Sequence, residues 1–327
     1  MIGKEFRKFL MLAATVAGLT VPSMAEAGTI RLGMTTWVGY GPLFLARDMG
    51  FFKEAGVDVE LTIIEEASLY MAAVAGGDLD GAASTIDELM KYRSNELCFK
   101  YVVALDDSHG GDGVLTQPDV TSLKDLKGKE VGLNEGSVSD FWFSILLKKD
   151  GMTKADVKVT NLTADDAAAA FIAGRIPAAV TWEPHLSLVR EKKTGKVLID
   201  SSSTPGAIVD VVALKCDVIT NQPKDVEALL KGYYRAVEFI KSDPEKAYGI
   251  MAKGVGGYLS EAAAFADAAK GVRYYDRARN IEYFGTPAAS EATDLIKLGG
   301  EIWGQAGKLK MDLSYDTLVD PSFIKTE

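Results

Sequence analysis

Residues 29–64, TIRLGMTTWVGYGPLFLARDMGFFKEAGVDVELTII, contain two apolar strand-like runs separated by a helical pattern. The first run is Thr29–Met34 and the second is Val57–Ile64. Between them, Pro42–Ala55 carries apolar residues at the spacing of a helix face. Because two strands joined through a helix normally pair in parallel, this stretch predicts a βαβ unit and an α/β fold.

The same alternation continues along the chain and predicts a second α/β unit. Its first strand is expected at Lys129–Leu133 and its last at Val197–Ile199. The run Ile208–Leu214 then resembles a crossing strand that returns the chain to the first unit. Sheets of this kind bind ligands in the crevice beyond the carboxyl ends of their strands.

Two doubly wound lobes joined by a two-strand hinge are therefore expected. The first lobe is predicted to comprise residues 28–112 and 215–327, and the second lobe residues 113–214. The crossings are expected near Gly113–Thr116 and near Ala213–Cys216. A cleft between two such lobes can close on a ligand, although the same frame also serves two-domain enzymes.

Residues 1–27 have the pattern of a signal peptide. Three basic residues precede the apolar run Phe9–Leu19, and Ala25-Glu26-Ala27 resembles a small-residue cleavage site. The apolar run is too short to span a bilayer, which takes roughly 20 apolar residues. We therefore expect an exported, periplasmic protein.

The formal net charge of −10 argues against nucleic acid or anionic lipid as a partner. Cys98 and Cys216 could pair in an oxidising compartment or remain as two buried thiols. His109 and His185 are the only histidines, and no Cys/His cluster has the spacing of metal ligands. We expect neither a metal site nor a cofactor.

Three stretches resemble solute-binding proteins of the nitrate/sulfonate/taurine type. They are TTWVGYGPLFLARDMGFFKEAGVDVEL (35–61), SLKDLKGKEVGLNEGS (122–137) and AAFIAGRIPAAVTWEP (169–184). The resemblance covers nearly all of the chain after the signal peptide. It implies the bilobal periplasmic binding protein fold of type II and a monomer that delivers a small solute to the permease of an ABC importer.

Four shorter motifs resemble one branch of that family, which is associated with urea carboxylase. They are LDDSHGGDG (105–113), NEGSVSDF (134–141), GAIVDV (206–211) and DPSF (320–323). The resemblance to this branch implies a link with guanidine and urea nitrogen.

Six stretches at the ends of predicted strands should converge on the cleft, and they carry acidic and aromatic residues but no Lys or Arg. They are Trp37–Pro42, Thr85–Glu88, Asp106–Asp112, Glu135–Asp140, Trp182–Pro184 and Thr204–Asp210. A pocket for nitrate or a sulfonate needs cationic donors or helix N-termini, and many nearby acids would repel an anion. A flat cation such as guanidinium can instead stack on an indole and form a two-bond fork with a carboxylate. The residues predicted to bind the solute are Trp37, Tyr40, Asp87, Asp106, Asp112, Glu135, Ser137, Asp140, Trp182, Glu183 and Asp210.

Several of these residues have an alternative structural role. Asp87, Ser137 and Glu183 could cap the helices that they precede, Asp112 could hold a turn in its glycine-rich loop, and Asp210 could form a hydrogen bond at the hinge. One or two buried carboxylates would balance the charge of a cation, so most of the acids must serve another purpose.

Two other functions remain open at this point. One is a binding protein for taurine, another aliphatic sulfonate or nitrate. The other is an enzyme, since relatives on this fold make a thiamine-precursor pyrimidine with a modified lysine and a cysteine-rich iron motif. The absence of a cysteine cluster and the separation of the two histidines argue against catalysis. We therefore predict a binding protein that performs no chemistry.

Overall fold

The computed structural model describes residues 28–324, so the predicted signal peptide lies outside the described residues. In that range the strands are β1 (Gly28–Met34), β2 (Val57–Ile63), β3 (Gly81–Thr85), β4 (Phe99–Ser108), β5 (Asp112–Thr116), β6 (Glu130–Leu133), β7 (Lys158–Asn161), β8 (Ala178–Trp182), β9 (Lys196–Asp200), β10 (Val209–Lys215) and β11 (Val272–Tyr274). The α-helices are α1 (Gly41–Asp48), α2 (Phe51–Ala55), α3 (Ala67–Gly76), α4 (Ile86–Met90), α5 (Val138–Lys149), α6 (Ala164–Ile172), α7 (His185–Lys192), α8 (Cys216–Asn221), α9 (Pro223–Ser242), α10 (Pro244–Val255), α11 (Ala262–Ala268), α12 (Arg277–Phe284), α13 (Glu291–Gln305) and α14 (Tyr315–Leu318).

The strands form two sheets. The first sheet has the order β11-β4-β10-β3-β1-β2, and the second has the order β7-β6-β8-β5-β9. β1 pairs in parallel with β2 and β3, while β10 runs antiparallel to β3 and β4. In the second sheet, β6 is parallel to β7 and β8, and β5 is antiparallel to β8 and β9.

Both faces of each sheet are covered by helices, as the apolar strands require. In β10, Val212 and Leu214 pack into one core, whereas Val211 and Ala213 pack into the core on the opposite face. The second sheet behaves in the same way, because Val114 and Leu115 of β5 belong to different cores. Successive side chains of a strand point to opposite faces, so a strand buried on both faces is apolar throughout.

The second passage between the sheets differs from the prediction. β10 lies wholly in the first sheet, between β3 and β4, so the chain crosses at residues 201–208 rather than near Ala213–Cys216. The other passage is His109–Gly111, directly before β5. The apolar run of β10 is suited to a central strand with both faces covered, and a passage exposed between lobes would leave those side chains in water.

The helix predicted at Pro42–Ala55 is divided into α1 and α2. Gly50 separates them with a φ of 74°, in the left-handed region that glycine adopts without steric cost. The division turns the chain so that Phe51 and Phe52 enter the same core as α9. The region before α1, which carries Trp37 and Tyr40, is thereby fixed against the first sheet.

Cys98 and Cys216 form a disulfide, which decides between the two alternatives that the sequence left open. Cys98 directly precedes β4, and Cys216 directly follows β10. The backbone N–H of Cys216 also donates to the carbonyl of Cys98 at 3.0 Å. The bond therefore joins the two strands at the end opposite to their acidic residues.

Candidate functional site

A cavity lies between the two sheets, at the edge where the parallel strands end. β1 and β3 of the first sheet lead into it, and β5 and β8 of the second sheet supply its opposite wall. The lining residues are Thr35, Trp37, Tyr40, Ser84, Thr85, Glu88, Asp112, Val138, Trp182, Ile208 and Asp210.

Two buried aromatic side chains of the lining are held by carboxylates. The Trp37 Nε1–H donates to Asp106 Oδ1 at 3.1 Å, and the Tyr40 hydroxyl donates to Asp210 Oδ1 at 2.5 Å. Gly39 lies between the two aromatics, and a Cβ there would come within 2.2 Å of Asp106 Oδ2. The glycine therefore lets this segment lie directly on the acidic strand ends.

The acids behind these aromatics face each other in the first sheet. Asp106 of β4 and Asp210 of β10 are register partners in an antiparallel pair. Antiparallel β10 brings its amino end to the same edge at which β1 and β3 end. This arrangement places Asp210 on the cavity and Asp106 one strand further away.

Burial raises the pKa of each acid in and behind the lining. The pKa of Asp210 is well above its usual range because of burial, and the charges of Asp112, Asp87 and Glu88 add to the effect. The pKa of Glu88 is also raised by burial, although the Lys91 ammonium and the Ser84 hydroxyl oppose that shift. A carboxylate is costly in such surroundings unless a cation accompanies it.

Asp112 enters the cavity from the second sheet. Burial raises its pKa to about 7, against the effect of Ser108, whose hydroxyl donates to Asp112 Oδ2 at 2.6 Å. Ser108 Oγ also lies 2.8 Å from Ser201 Oγ, which accepts from the Gly110 N–H. Ser108, Gly110 and Ser201 belong to the ends of the two passages, so this network connects the cavity with both of them.

No Lys or Arg belongs to the cavity lining within the described residues. The ammonium of Lys91 approaches from behind, 3.8 Å from Glu88 Oε1. It also donates to the carbonyl of Gly136 in the second lobe. The cavity itself is thus acidic and aromatic, with one partly neutralised carboxylate.

Five of the predicted binding residues line the cavity. They are Trp37, Tyr40, Asp112, Trp182 and Asp210. Trp182 ends β8, Asp112 and Asp210 lie at the starts of β5 and β10, and Trp37 and Tyr40 lie in the segment between β1 and α1.

Glu135 and Asp140 lie outside the cavity, contrary to the prediction. Both carboxylates face the ammonium of Lys154, at 3.7 Å and 2.7 Å respectively. Asp140 also accepts from the Gly136 N–H at 2.8 Å, which shapes the turn before α5. Lys154 follows α5 in the chain, so its approach to these acids depends on the packing of the second lobe.

Ser137 and Glu183 likewise do not line the cavity and serve helices instead. Ser137 is the N-cap of α5, where its hydroxyl accepts from the Ser139 N–H. The Glu183 carboxylate accepts from the Ser187 N–H at 2.9 Å and pairs with the guanidinium of Arg190. The capping alternative accounts for both residues.

Asp87 and Asp106 are buried behind the lining rather than on it. Within the described residues, neither oxygen of Asp87 has a hydrogen-bond partner, and burial raises its pKa to about 7. Asp106 acts on the cavity through Trp37, to which it is bonded. A sequence pattern cannot separate a residue on a cavity wall from one a layer deeper.

The remaining lining residues were not predicted. Ser84, Thr85 and Glu88 lie at the end of β3 and in α4, and Thr85 and Glu88 fall within a stretch that was expected at the cleft. Val138 and Ile208 form the apolar part of the lining. Their signal in the sequence is weak, since an apolar residue beside a strand end is normally assigned to the core.

The described residues contain neither a cluster of metal ligands nor a membrane-spanning helix. Between residues 28 and 324, no three His, Cys, Asp or Glu side chains are grouped so that they could hold a metal ion. No helix in that range is long and apolar enough to cross a membrane.

Residues 37–247 match the model of the family described as "NMT1/THI5 like". The chain belongs to this family. The matched range includes the cavity residues from Trp37 to Asp210 and both passages between the sheets.

Relatives of this chain include binding proteins. A protein of Brucella abortus (strain 2308) with a provisional binding-protein name is 24% identical over 255 residues, which cover 76% of this chain and 78% of the relative. The taurine-binding periplasmic protein of Escherichia coli (strain K12) is 24% identical over 201 residues, 61% of this chain and 62% of that protein.

The predicted fold class is confirmed by comparison with solved structures. The periplasmic aliphatic sulphonate binding protein SsuA of Escherichia coli superposes with a TM-score of 0.73 at 16% identity, over 91% of this chain and 99% of that chain. The protein therefore has the bilobal α/β fold of type II periplasmic binding proteins.

Proposed function

We propose that the protein is the periplasmic solute-binding component of an ABC importer and captures a small nitrogen-rich cation or amide, with guanidinium preferred. The observation that carries the proposal is the composition of the cavity. Three carboxylates and three aromatic side chains line it, and no basic side chain of the described residues does. An anion would find hydroxyl groups and the start of α5 at Val138, but beside three carboxylates.

The cavity offers guanidinium both contacts that a planar cation favours. Stacking on Trp37 or Trp182 is worth about 0.5–2 kcal/mol, depending on desolvation. A carboxylate such as Asp210 or Asp112 can accept two parallel N–H bonds from the guanidinium edge. The positive charge also offsets the cost of holding these acids ionised in a buried place.

Capture and release require the two lobes to move apart and together. The two chain passages between the sheets are the segments that can allow this movement. Residues 109–111 and 201–208 connect the sheets, and their serine network ends on Asp112. We propose that these passages act as the hinge about which the lobes close on the solute. The closed protein would then be presented to the permease, without any chemical step.

A taurine or aliphatic sulfonate ligand is the alternative, which the taurine-binding relative supports. Its ammonium group could pair with Asp210 or Asp112, as guanidinium would. Its sulfonate could use the Thr85 hydroxyl and the start of α5 at Val138, but both face the cavity that also holds the carboxylate of Glu88. That repulsion is the reason for preferring a cation without an anionic group.

The enzyme alternative would need a cysteine-rich iron motif. Both cysteines of the chain are joined in a disulfide, which leaves no thiol for a cysteine-rich iron motif.

Isothermal titration of the purified protein with guanidinium, urea, taurine and nitrate at equal ionic strength tests the proposal. We expect guanidinium to bind most tightly, urea more weakly because it is neutral, and nitrate not at all. Tighter binding of taurine or nitrate than of guanidinium would refute the preference for a cation.

A further inference from the structure

Asp106 and Asp210 form a close pair of buried acids. They are directly opposite each other on β4 and β10, a position in which Cβ atoms are about 5 Å apart on one face of the sheet. Their exposed fractions are 0% and 2%. Each accepts one neutral hydrogen bond, from Trp37 and Tyr40 respectively, and Asp106 Oδ2 has no partner among the described residues.

The groups around the pair are acidic or neutral on every side. The titratable groups that interact electrostatically with Asp106 or Asp210 are Tyr40, Tyr70, Asp87, Glu88, Asp107, Asp112, Tyr233 and Tyr274. The basic residues of this region are occupied elsewhere: Lys91 faces Glu88, Lys154 faces Asp140, and Arg190 faces Glu183. Arg273 of β11, beside β4, contacts His109 and acts on Asp107 rather than on the pair. Among residues 28–324, no ion pair includes Asp106 or Asp210.

Two carboxylates this close cannot both carry a charge in a buried place without a cation. Desolvation disfavours each charge, and the repulsion between the two adds to it. Burial raises the pKa of both residues well above the usual range, and the charge of Asp210 is the next contribution to the shift at Asp106. The neutral donors Trp37 and Tyr40 can support one negative charge on the pair.

We infer that Asp106 and Asp210 share one proton at neutral pH when no cation occupies the cavity, and that a bound cation displaces this proton. The inference rests on the proposed function in taking the solute to be positively charged. On binding, the O–H bond of the carboxylic acid breaks, the proton passes to solvent, and the carboxylate pairs with the cation. Asp106 is then a positioning residue, since it acts through Trp37 and Asp210 rather than by contact.

This arrangement makes the pair a determinant of specificity. A cation replaces the charge of the proton, whereas a neutral molecule of the same shape does not. Guanidinium stays charged across the accessible pH range, as the arginine side chain does, so its affinity should follow the state of the pair alone. Urea is the matched neutral probe.

Titration calorimetry of the full protein in buffers of different ionisation enthalpy tests the displacement. With guanidinium we expect release of about one proton per ligand at pH 7, and affinity that rises by up to about tenfold per pH unit between pH 6 and 8. The affinity rises with pH because the proton competes with the cation for the acid pair, and the pair loses its proton as the pH rises. Urea should release no proton.

Two asparagine variants localise the proton. Asp106→Asn removes the like charge, so the proton release should fall strongly and the affinity for guanidinium should lose most of its pH dependence. Asp140→Asn removes a buried carboxylate that lies outside the cavity and pairs with Lys154, so it should retain the full release. Equal loss in both variants, or binding of guanidinium to the wild type with no dependence on the buffer, would overturn the inference.

Infrared difference spectra of the ligand-free protein give a second readout. At pH 7, the wild type minus Asp106→Asn spectrum should show the carbonyl stretch of a protonated carboxylic acid, as should wild type minus Asp210→Asn. Absence of this band would refute the shared proton whether or not guanidinium binds. If guanidinium does not bind but the band is present, the proposed ligand is wrong and the proton-sharing pair stands.

Discussion

Asp210 is a carboxylate in the apolar strand β10, and in our account its surroundings favour a bound positive charge. The Tyr40 hydroxyl donates to it, and Asp106 lies opposite, but its nearest neighbours bring no basic group. A buried acid of this kind normally destabilises the protein unless something compensates it. In our account the solute supplies that compensation.

Replacing Asp210 should therefore weaken binding without harming the fold. We expect Asp210→Asn to lower the affinity for guanidinium about 10- to 150-fold, because a charged hydrogen bond contributes about 1.5–3 kcal/mol. Calorimetry at pH 8 measures the loss, and circular dichroism checks the fold. Glu135→Gln is the matched control, since that half-exposed carboxylate lies outside the cavity and should bind guanidinium as the wild type does. Equal affinities in Asp210→Asn and the wild type would remove Asp210 from the site.

The sequence could predict the cavity residues that lie where strands end, because chain direction brings those ends to one edge of the sheet. It could not predict which acids pair with basic side chains from other parts of the chain. Trp37 and Trp182 were predicted because each follows or ends a strand. Asp140 and Glu183 were predicted to bind the solute, but they pair with Lys154 and Arg190, which lie outside the predicted cleft stretches. Pairing across elements is a property of the packed lobes, and local spacing does not reveal it.

Strands β4 and β10 connect the disulfide with the cavity. Cys98 and Cys216 join the pair at one end, while Asp106 and Asp210 lie at the other. Eight residues of extended chain separate Cys98 from Asp106, a distance of about 27 Å. The bond encloses the whole second sheet, since its partners are 118 positions apart. It should therefore stabilise the fold without contributing to the binding site.

Removal of the disulfide should lower stability and leave binding unchanged. We expect the double variant Cys98→Ala with Cys216→Ala to lose about 2–5 kcal/mol in the free energy of unfolding, because the unfolded chain gains the freedom that the cross-link removed. Urea unfolding followed by circular dichroism measures this change, and wild type treated with a reductant is the control. A guanidinium affinity that fell together with stability would contradict the separation of these two ends.

The order of strands and helices could be predicted because hydrophobic periodicity is local. The position of β10 in the sheet could not be predicted, because the apolar run Ile208–Leu214 is equally compatible with a crossing segment and with a central strand. Its pairing with both β3 and β4 resolves this. The division of the first predicted helix at Gly50 was similarly hidden, because a glycine can be tolerated within a helix or can end it.

At the scale of the whole molecule, the two lobes are in contact around the cavity. Phe141 of α5 packs in the core of the first lobe, with its ring 5.7 Å from that of Trp303. The Asn134 amide donates to Glu66 at 2.9 Å, and Lys91 donates to Gly136. These contacts join the lobes on the side of α4 and α5, so any opening for the solute must break or shift them.

The most direct test of the central claim is a crystal structure of the protein grown with guanidinium and taurine at equal concentrations. Our account predicts a flat guanidinium in the cavity, stacked on Trp37 or Trp182, with its N–H groups bonded to Asp210 or Asp112. A taurine molecule in that place, with its sulfonate enclosed and these carboxylates turned towards water, would contradict the claim that the cavity selects a cation.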